Sequence, residues 1–111
     1  MKFSQLNEFS KELKKFSKKY PSIEKDLKEF EKILEVNPVG NSKHFNVITK
    51  KHEPNIKIIK ARFFCQYLKG ATLRIVYAYF EEENQVEFIE LYFKGDKENE
   101  DKDRIVNYLK Q

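Results

Sequence analysis

Two apolar runs within KARFFCQYLKGATLRIVYAYF, residues 60–80, have Lys60, Arg62 and Arg74 set inside them. Side chains alternate across a strand, so Lys60 and Arg62 project from one face with Ile58 and Phe64, while Arg74 shares a face with Val76, Ala78 and Phe80. Three cations on neighbouring strands then converge on the open side of a sheet. Burying them unpaired would cost several kcal/mol each, so they either form a ladder with Glu87 or Glu90 or await an anionic ligand. Lys94 follows directly after ELYF, beside Gly95, Asp96 and Lys97, and extends the basic surface to the sheet rim. Tyr92, or Tyr77 on the neighbouring strand, could stack a base or serve as acid or base. Plain packing is the competing account for both tyrosines.

Other chemistries find few residues to carry them. HEPN at 52–55 is not H-E-x-x-H, and two histidines eight apart lack further metal ligands. Three glycines form neither a phosphate-cradling loop nor a nucleophile elbow. The single cysteine, Cys65, excludes an internal disulfide and reads as a small buried hydrophobe. What is left is a metal-free basic face. The excess of 22 Lys and Arg over 18 Asp and Glu, with a pI near 9.0, matters only if concentrated on such a face. No apolar h-region opens the chain and no run approaches a membrane span, so a cytoplasmic protein is expected.

The elements that must position these residues follow from periodicity. At 111 residues the chain is expected to form a single domain, residues 1–111, whose ten Phe and six Tyr carry much of the packing. Leu6, Phe9, Leu13, Phe16 and Tyr20 step by threes and fours, which predicts a helix over 7–20 with Lys14, Lys15, Lys18 and Lys19 at its C-terminal end. Pro21 breaks it, Ser22 is a plausible N-cap, and Ile23, Leu27, Phe30 and Leu34 predict a second, antiparallel helix ending before Asn37-Pro38. Residues 37–55 read as a loop with one short strand at FNVIT. IKIIKARFFC, LRIVYAYF and VEFIELYF then predict an antiparallel meander, in which Ile89, Leu91 and Phe93 face the core and Val86, Phe88, Glu90 and Tyr92 face away. A terminal helix from about residue 100 presents Ile105, Tyr108 and Leu109. The expected fold is α+β: an optional N-terminal strand and a helical hairpin packed on an antiparallel sheet of three to four strands, with helices on one face.

IIKAR, GATLRIVYAY and VEFIELYFKGDKE, with FSKELKKFSKKYPSIEKDLKEFEKIL before them, resemble the RelE/ParE superfamily of type II toxin–antitoxin toxins, the HigB-like branch in particular. The resemblance implies a RelE-like fold and a metal-independent endoribonuclease that cleaves mRNA, often on the ribosome, without a cofactor. It also implies a small cognate antitoxin that wraps the toxin. By matching position, Lys60 and Arg62 fill the family's K-x-R element, Arg74 its second arginine, Tyr77 the following aromatic and Lys94 the Y-x-K lysine. Arg62 and Arg74 would hold the phosphate, Lys60 or Lys94 would exchange a proton, and Tyr77 would be an alternative acid or a stacking platform. Lys50, Lys51, Tyr92 and Lys97 are candidate RNA contacts, the loop lysines and both histidines having solvation as their plainer role. Arg104 and Tyr108, four apart in a helix, look like packing residues rather than the C-terminal catalytic pair of some relatives. A ParE-like gyrase poison of the same fold, or a non-enzymatic RNA- or protein-binding relative, is the alternative.

Overall fold

The computed structural model describes all of residues 1–111. The elements run β1 (Lys2–Gln5), α1 (Asn7–Lys19), α2 (Ile23–Val36), β2 (Phe45–His52), β3 (Asn55–Cys65), β4 (Gly70–Phe80), β5 (Gln85–Phe93) and α3 (Lys102–Leu109). The α+β architecture and the helical hairpin are as expected, but the sheet has five strands in the order β1-β5-β4-β3-β2. It is also mixed, because β1 runs parallel to β5 with Phe3 opposite Val86 and Gln5 opposite Phe88. β2 is longer than FNVIT, pairing with β3 from Phe45 opposite Ala61 to His52 opposite Asn55. Its polar side chains hide the alternation, since an edge strand tolerates Lys50, Lys51 and His52.

The expected placement of every helix on one face is corrected. The stripes of α1 and α2 cover one side, burying Phe9, Phe16, Ile23, Leu27, Phe30 and Leu34 against Ile59, Ala61, Phe63, Cys65, Leu73, Ile75 and Tyr77. The α3 residue Ile105 closes part of the other side with Ile56, Ile58, Val76, Ala78, Ile89 and Tyr92. Both faces of the central strands thus exclude water, which explains their near-continuous apolar composition. Cys65 is fully buried, the small hydrophobe that its strand position implied.

The face assignment of β5 is corrected as well. Tyr77 opposes Phe88 but Val76 opposes Glu90, so Ile89 is an extra residue in the ladder, a β-bulge. Strict alternation fails there. Val86 and Phe88 face the hairpin, as do Leu91 and Phe93, whereas Ile89, Glu90 and Tyr92 face α3.

Side chains complete what the ladders leave open. Ser22 does not cap α2; its hydroxyl donates to Asp26 Oδ2 at 2.7 Å and accepts the Tyr67 amide at 2.9 Å, while Asp26 Oδ2 also accepts the Gln66 amide at 3.1 Å. The β3–β4 turn is thereby pinned to the start of α2. At the opposite edge β1 stops at Gln5, and β5 continues without a strand beside it. Glu12 Oε1 accepts the Leu91 amide at 3.0 Å, and Arg104 Nη1 donates to the Ile89 carbonyl at 2.8 Å. Glu12 and Arg104 also bind each other through two hydrogen bonds of 3.1 and 3.0 Å. Tyr108 donates to Glu87 at 2.6 Å, so Arg104 and Tyr108 do the structural work expected of them.

Because the Glu12 and Arg104 side chains are only 24% and 17% exposed, this pair is no ordinary surface bridge. Arg104→Ala is expected to lower the unfolding free energy by about 2–4 kcal/mol in urea titrations and to speed hydrogen exchange at the Leu91 amide. A loss within about 0.5 kcal/mol, the size of an exposed pair, would refute the edge-sealing role.

Candidate functional site

The antiparallel register of β3 and β4 sets Arg62 directly opposite Arg74. Their side chains occupy the sheet face that α3 covers only in part. Arg74 is half-buried, its Nη1 donating to the carbonyls of Ala71 at 2.7 Å and Leu73 at 3.1 Å. Arg62 lies exposed beside it. Like charges facing each other across a ladder destabilise a sheet by about 0.2–1 kcal/mol. Burial, and then the Arg62 charge, lower the Arg74 pKa, with Tyr92 acting in the other direction.

Around the two arginines lies a shallow cleft of about 180 Å³. Lys60, Lys94, Lys43, His44 and Asn46 complete its polar wall, and no carboxylate lines it. Lys94 reaches this rim because its amide donates to the Thr72 carbonyl at 3.0 Å, extending the β4–β5 ladder one step past Phe93. Lys43 and His44 are delivered by a turn in which Asn41 Oδ1 accepts both of their amides, at 3.0 and 2.9 Å. Gly40 precedes it at φ +64°, with no room for a Cβ against the Phe45 ring. The His44 carbonyl then accepts the Arg62 amide at 3.0 Å, joining this turn to the arginine strand.

Other nearby cations are already satisfied. Lys60 donates to Glu100 at 2.9 Å, so its partner is neither Glu87 nor Glu90. Burial alone would raise the Glu100 pKa, but the Lys60 hydrogen bond and charge hold it below the usual carboxylate range. Lys97 pairs with the fully buried Glu90 and lies 5.1 Å from the centroid of the Tyr92 ring. Arg62, Arg74, Lys94 and Lys43 form no ion pair with a carboxylate. These four are the free charge of the cleft.

Several residues expected at the site lie elsewhere. Tyr77 points to the hairpin side of the sheet, fully buried, and donates to the Pro38 carbonyl at 2.7 Å. Burial raises its pKa far beyond the usual phenol range, and it has no route to the arginines. Tyr92 shares the arginine face but is only 4% exposed, and burial, reinforced by Glu100 and Glu90, pushes its pKa up to about 12. A ring roofed by Lys97 offers no open stacking surface. Lys51 donates to the Leu109 carbonyl at 3.0 Å, which caps the end of α3. Lys50 stands opposite Lys57 in the ladder, on the hairpin side and away from the cleft. Of the expected residues, Lys60, Arg62, Arg74 and Lys94 come together. Lys43 and His44, weighed in the sequence as loop residues that contact RNA or only solvate the loop, join them, as does Asn46, which the sequence did not single out.

No group of three or more His, Cys, Asp and Glu side chains is arranged to hold a metal ion. No helix is long and apolar enough to cross a membrane. No protein-family model matches the chain, nor does any curated protein sequence. Among solved structures, the chain is similar to one in the crystal structure of the archaeal RelE–RelB complex from Pyrococcus horikoshii. The TM-score is 0.63 at 18% identity, over 86% of this chain and 97% of that one. At that identity the likeness is one of fold, and the fold of this chain is RelE-like.

Proposed function

We propose that this chain is the toxin of a type II toxin–antitoxin pair, a metal-independent endoribonuclease that cuts mRNA in the cytoplasm to stop translation and is held inactive by a cognate antitoxin protein. The observation that carries this reading is the Arg62–Arg74 pair, two arginines opposite one another in the ladder with no carboxylate within ion-pair distance. Arg74 holds two backbone carbonyls and the Arg62 side chain holds nothing, so neither charge is neutralised, and a phosphodiester supplies the missing anion. The RelE–RelB neighbour supports both the toxin fold and the expectation of a protein partner.

RNA carries its own nucleophile. A base removes the proton of the 2′-hydroxyl, the 2′ oxygen bonds to the adjacent phosphorus, and the bond from phosphorus to the 5′ oxygen breaks as that oxygen takes a proton. The products are a 2′,3′-cyclic phosphate and a 5′-hydroxyl. Negative charge builds on the phosphate oxygens between these events, where Arg62 and Arg74 offer fixed, permanently charged donors. Lys94 and His44 stand on the walls of the same cleft as the groups able to carry the two protons. Lys60, tied to Glu100, contributes field rather than proton transfer. Tyr77 has no part in the step.

Arg74→Ala is expected to cut cleavage by about 10²–10³-fold, the usual loss of a charge-stabilising donor, and to relieve growth arrest on induction with the fold intact by circular dichroism. Primer-extension mapping of mRNA ends in induced cells checks the chemistry. Undiminished toxicity of that variant, or arrest with broken DNA and intact mRNA, would refute the nuclease. The same repulsion predicts a gain in stability: Arg62→Ala should raise the unfolding free energy by about 0.2–1 kcal/mol at low salt, and by less as salt screens the pair. A destabilised Arg62→Ala protein would show that the guanidinium is a structural group.

A further inference from the structure

Beside the cleft, and sharing His44, Phe45 and Arg62 with it, a second hollow of about 530 Å³ runs between α2 and residues 62–66, at the end of β3 and the start of the turn after it. It exists because β2 stops pairing at Phe45 opposite Ala61, so the last residues of β3 have no strand on that side. Its walls are apolar, formed by Phe30, Phe45, Phe63, Ile33 and Phe64. Ile33 and Phe64 stand 53% and 59% exposed at its mouth, far more than packing would leave such side chains. Its polar groups differ from those of the cleft: Asp26 and Glu29 on α2, with the amides of Asn41 and Gln66. Neither Asn41 Nδ2 nor the Gln66 side-chain amide has a partner within the chain.

We propose that this hollow is a base pocket, taking a nucleobase of single-stranded RNA next to the phosphate held by Arg62 and Arg74, and favouring bases that carry an exocyclic amine. The inference rests on the RNA-cleaving reading and names the specificity element of that site. Charge decides which part of a nucleotide goes where. A phosphate is repelled by Asp26 and Glu29 and drawn to the cleft free of carboxylates, whereas a base has flat apolar faces for Phe64 and Ile33 and an edge for the amides. Arg62 borders both spaces, so a chain with its phosphate on that guanidinium has its neighbouring base at the mouth of the hollow. Asp26 Oδ2 already accepts two hydrogen bonds and Glu29 Oε1 accepts one from Lys32 at 3.3 Å, which leaves Asp26 Oδ1 and Glu29 Oε2 as acceptors for an amino group. Uracil has no amino group to offer.

The test is binding of uncleavable 2′-O-methyl oligonucleotides to the full chain by fluorescence anisotropy, which reads the pocket whether or not the protein cuts RNA. Oligoadenylate is expected to bind about tenfold or more tightly than oligouridylate or an abasic strand of equal length. Phe64→Ala, at an exposed position, should reduce adenylate binding to the abasic level while leaving abasic binding unchanged. Glu29→Gln should narrow the difference between adenylate and uridylate. Equal affinity for abasic and base-bearing strands would overturn the pocket while leaving the phosphate cleft and the nuclease reading intact. Wild-type adenylate affinity in Phe64→Ala would do the same. Equal binding of uridylate and adenylate, both above abasic, would overturn the amino-group preference, and failure of every strand to bind would overturn the pocket together with the site it serves.

Discussion

One extra residue in β5 governs where the charges of this protein can go. Ile89 has no partner in β4, and that single offset turns Glu90 and Tyr92 away from the hairpin and towards α3, while Phe88 remains in the hairpin core. Without the bulge, strict alternation from Phe88 would turn the Glu90 carboxylate into the apolar cluster under the hairpin, at a desolvation cost. With it, Glu90 accepts the Asp101 amide at 2.8 Å at the start of α3 and neutralises Lys97. The loop before α3 is thus tied down by the same residue that the bulge relocates.

Charge is then removed from the sheet face one group at a time. Glu100, on that loop, takes Lys60; Glu90 takes Lys97; Glu12, from α1, takes Arg104. Each of these acids lies on the β1 or α3 side of the molecule, and none reaches the end of the sheet where β3 and β4 turn. Arg62 and Arg74 are left over by geometry rather than by composition. The formal charge of +4 understates the local field, since it averages a neutralised half with one that is not.

Much of this was legible in the sequence, and what was not has identifiable causes. The helical stripes of Phe9, Phe16, Leu27 and Phe30 and the outward pairing of Lys60 with Arg62 follow from local period alone, and both survive in the folded chain. Three features do not follow from period. A bulge leaves no mark in VEFIELYF, because Ile and Phe suit either face. Pairing of β1 with β5 joins residues more than eighty apart, with only four residues of strand to announce it. Tyr77 illustrates the limit of matching by position: it stands three after Arg74, so alternation alone puts it on the other face, and its hydroxyl meets the Pro38 carbonyl. Lys43 and His44 could be named from the loop's composition but not placed, because the contact that brings them to the cleft, with Arg62, lies across a ladder.

The contact between Glu12 and Arg104 spans 92 positions, and the parallel pairing of β1 with β5 spans almost as many. Contacts of such separation repay their chain entropy only when both ends are present, and they slow folding relative to local structure. The first and last elements therefore stabilise one another, and neither has value alone. A partly made chain holds the two arginine strands but lacks Lys94, the Glu90 anchor and the clasp that seals β5. The basic cleft is therefore assembled only after the residues that follow β5 have joined the fold.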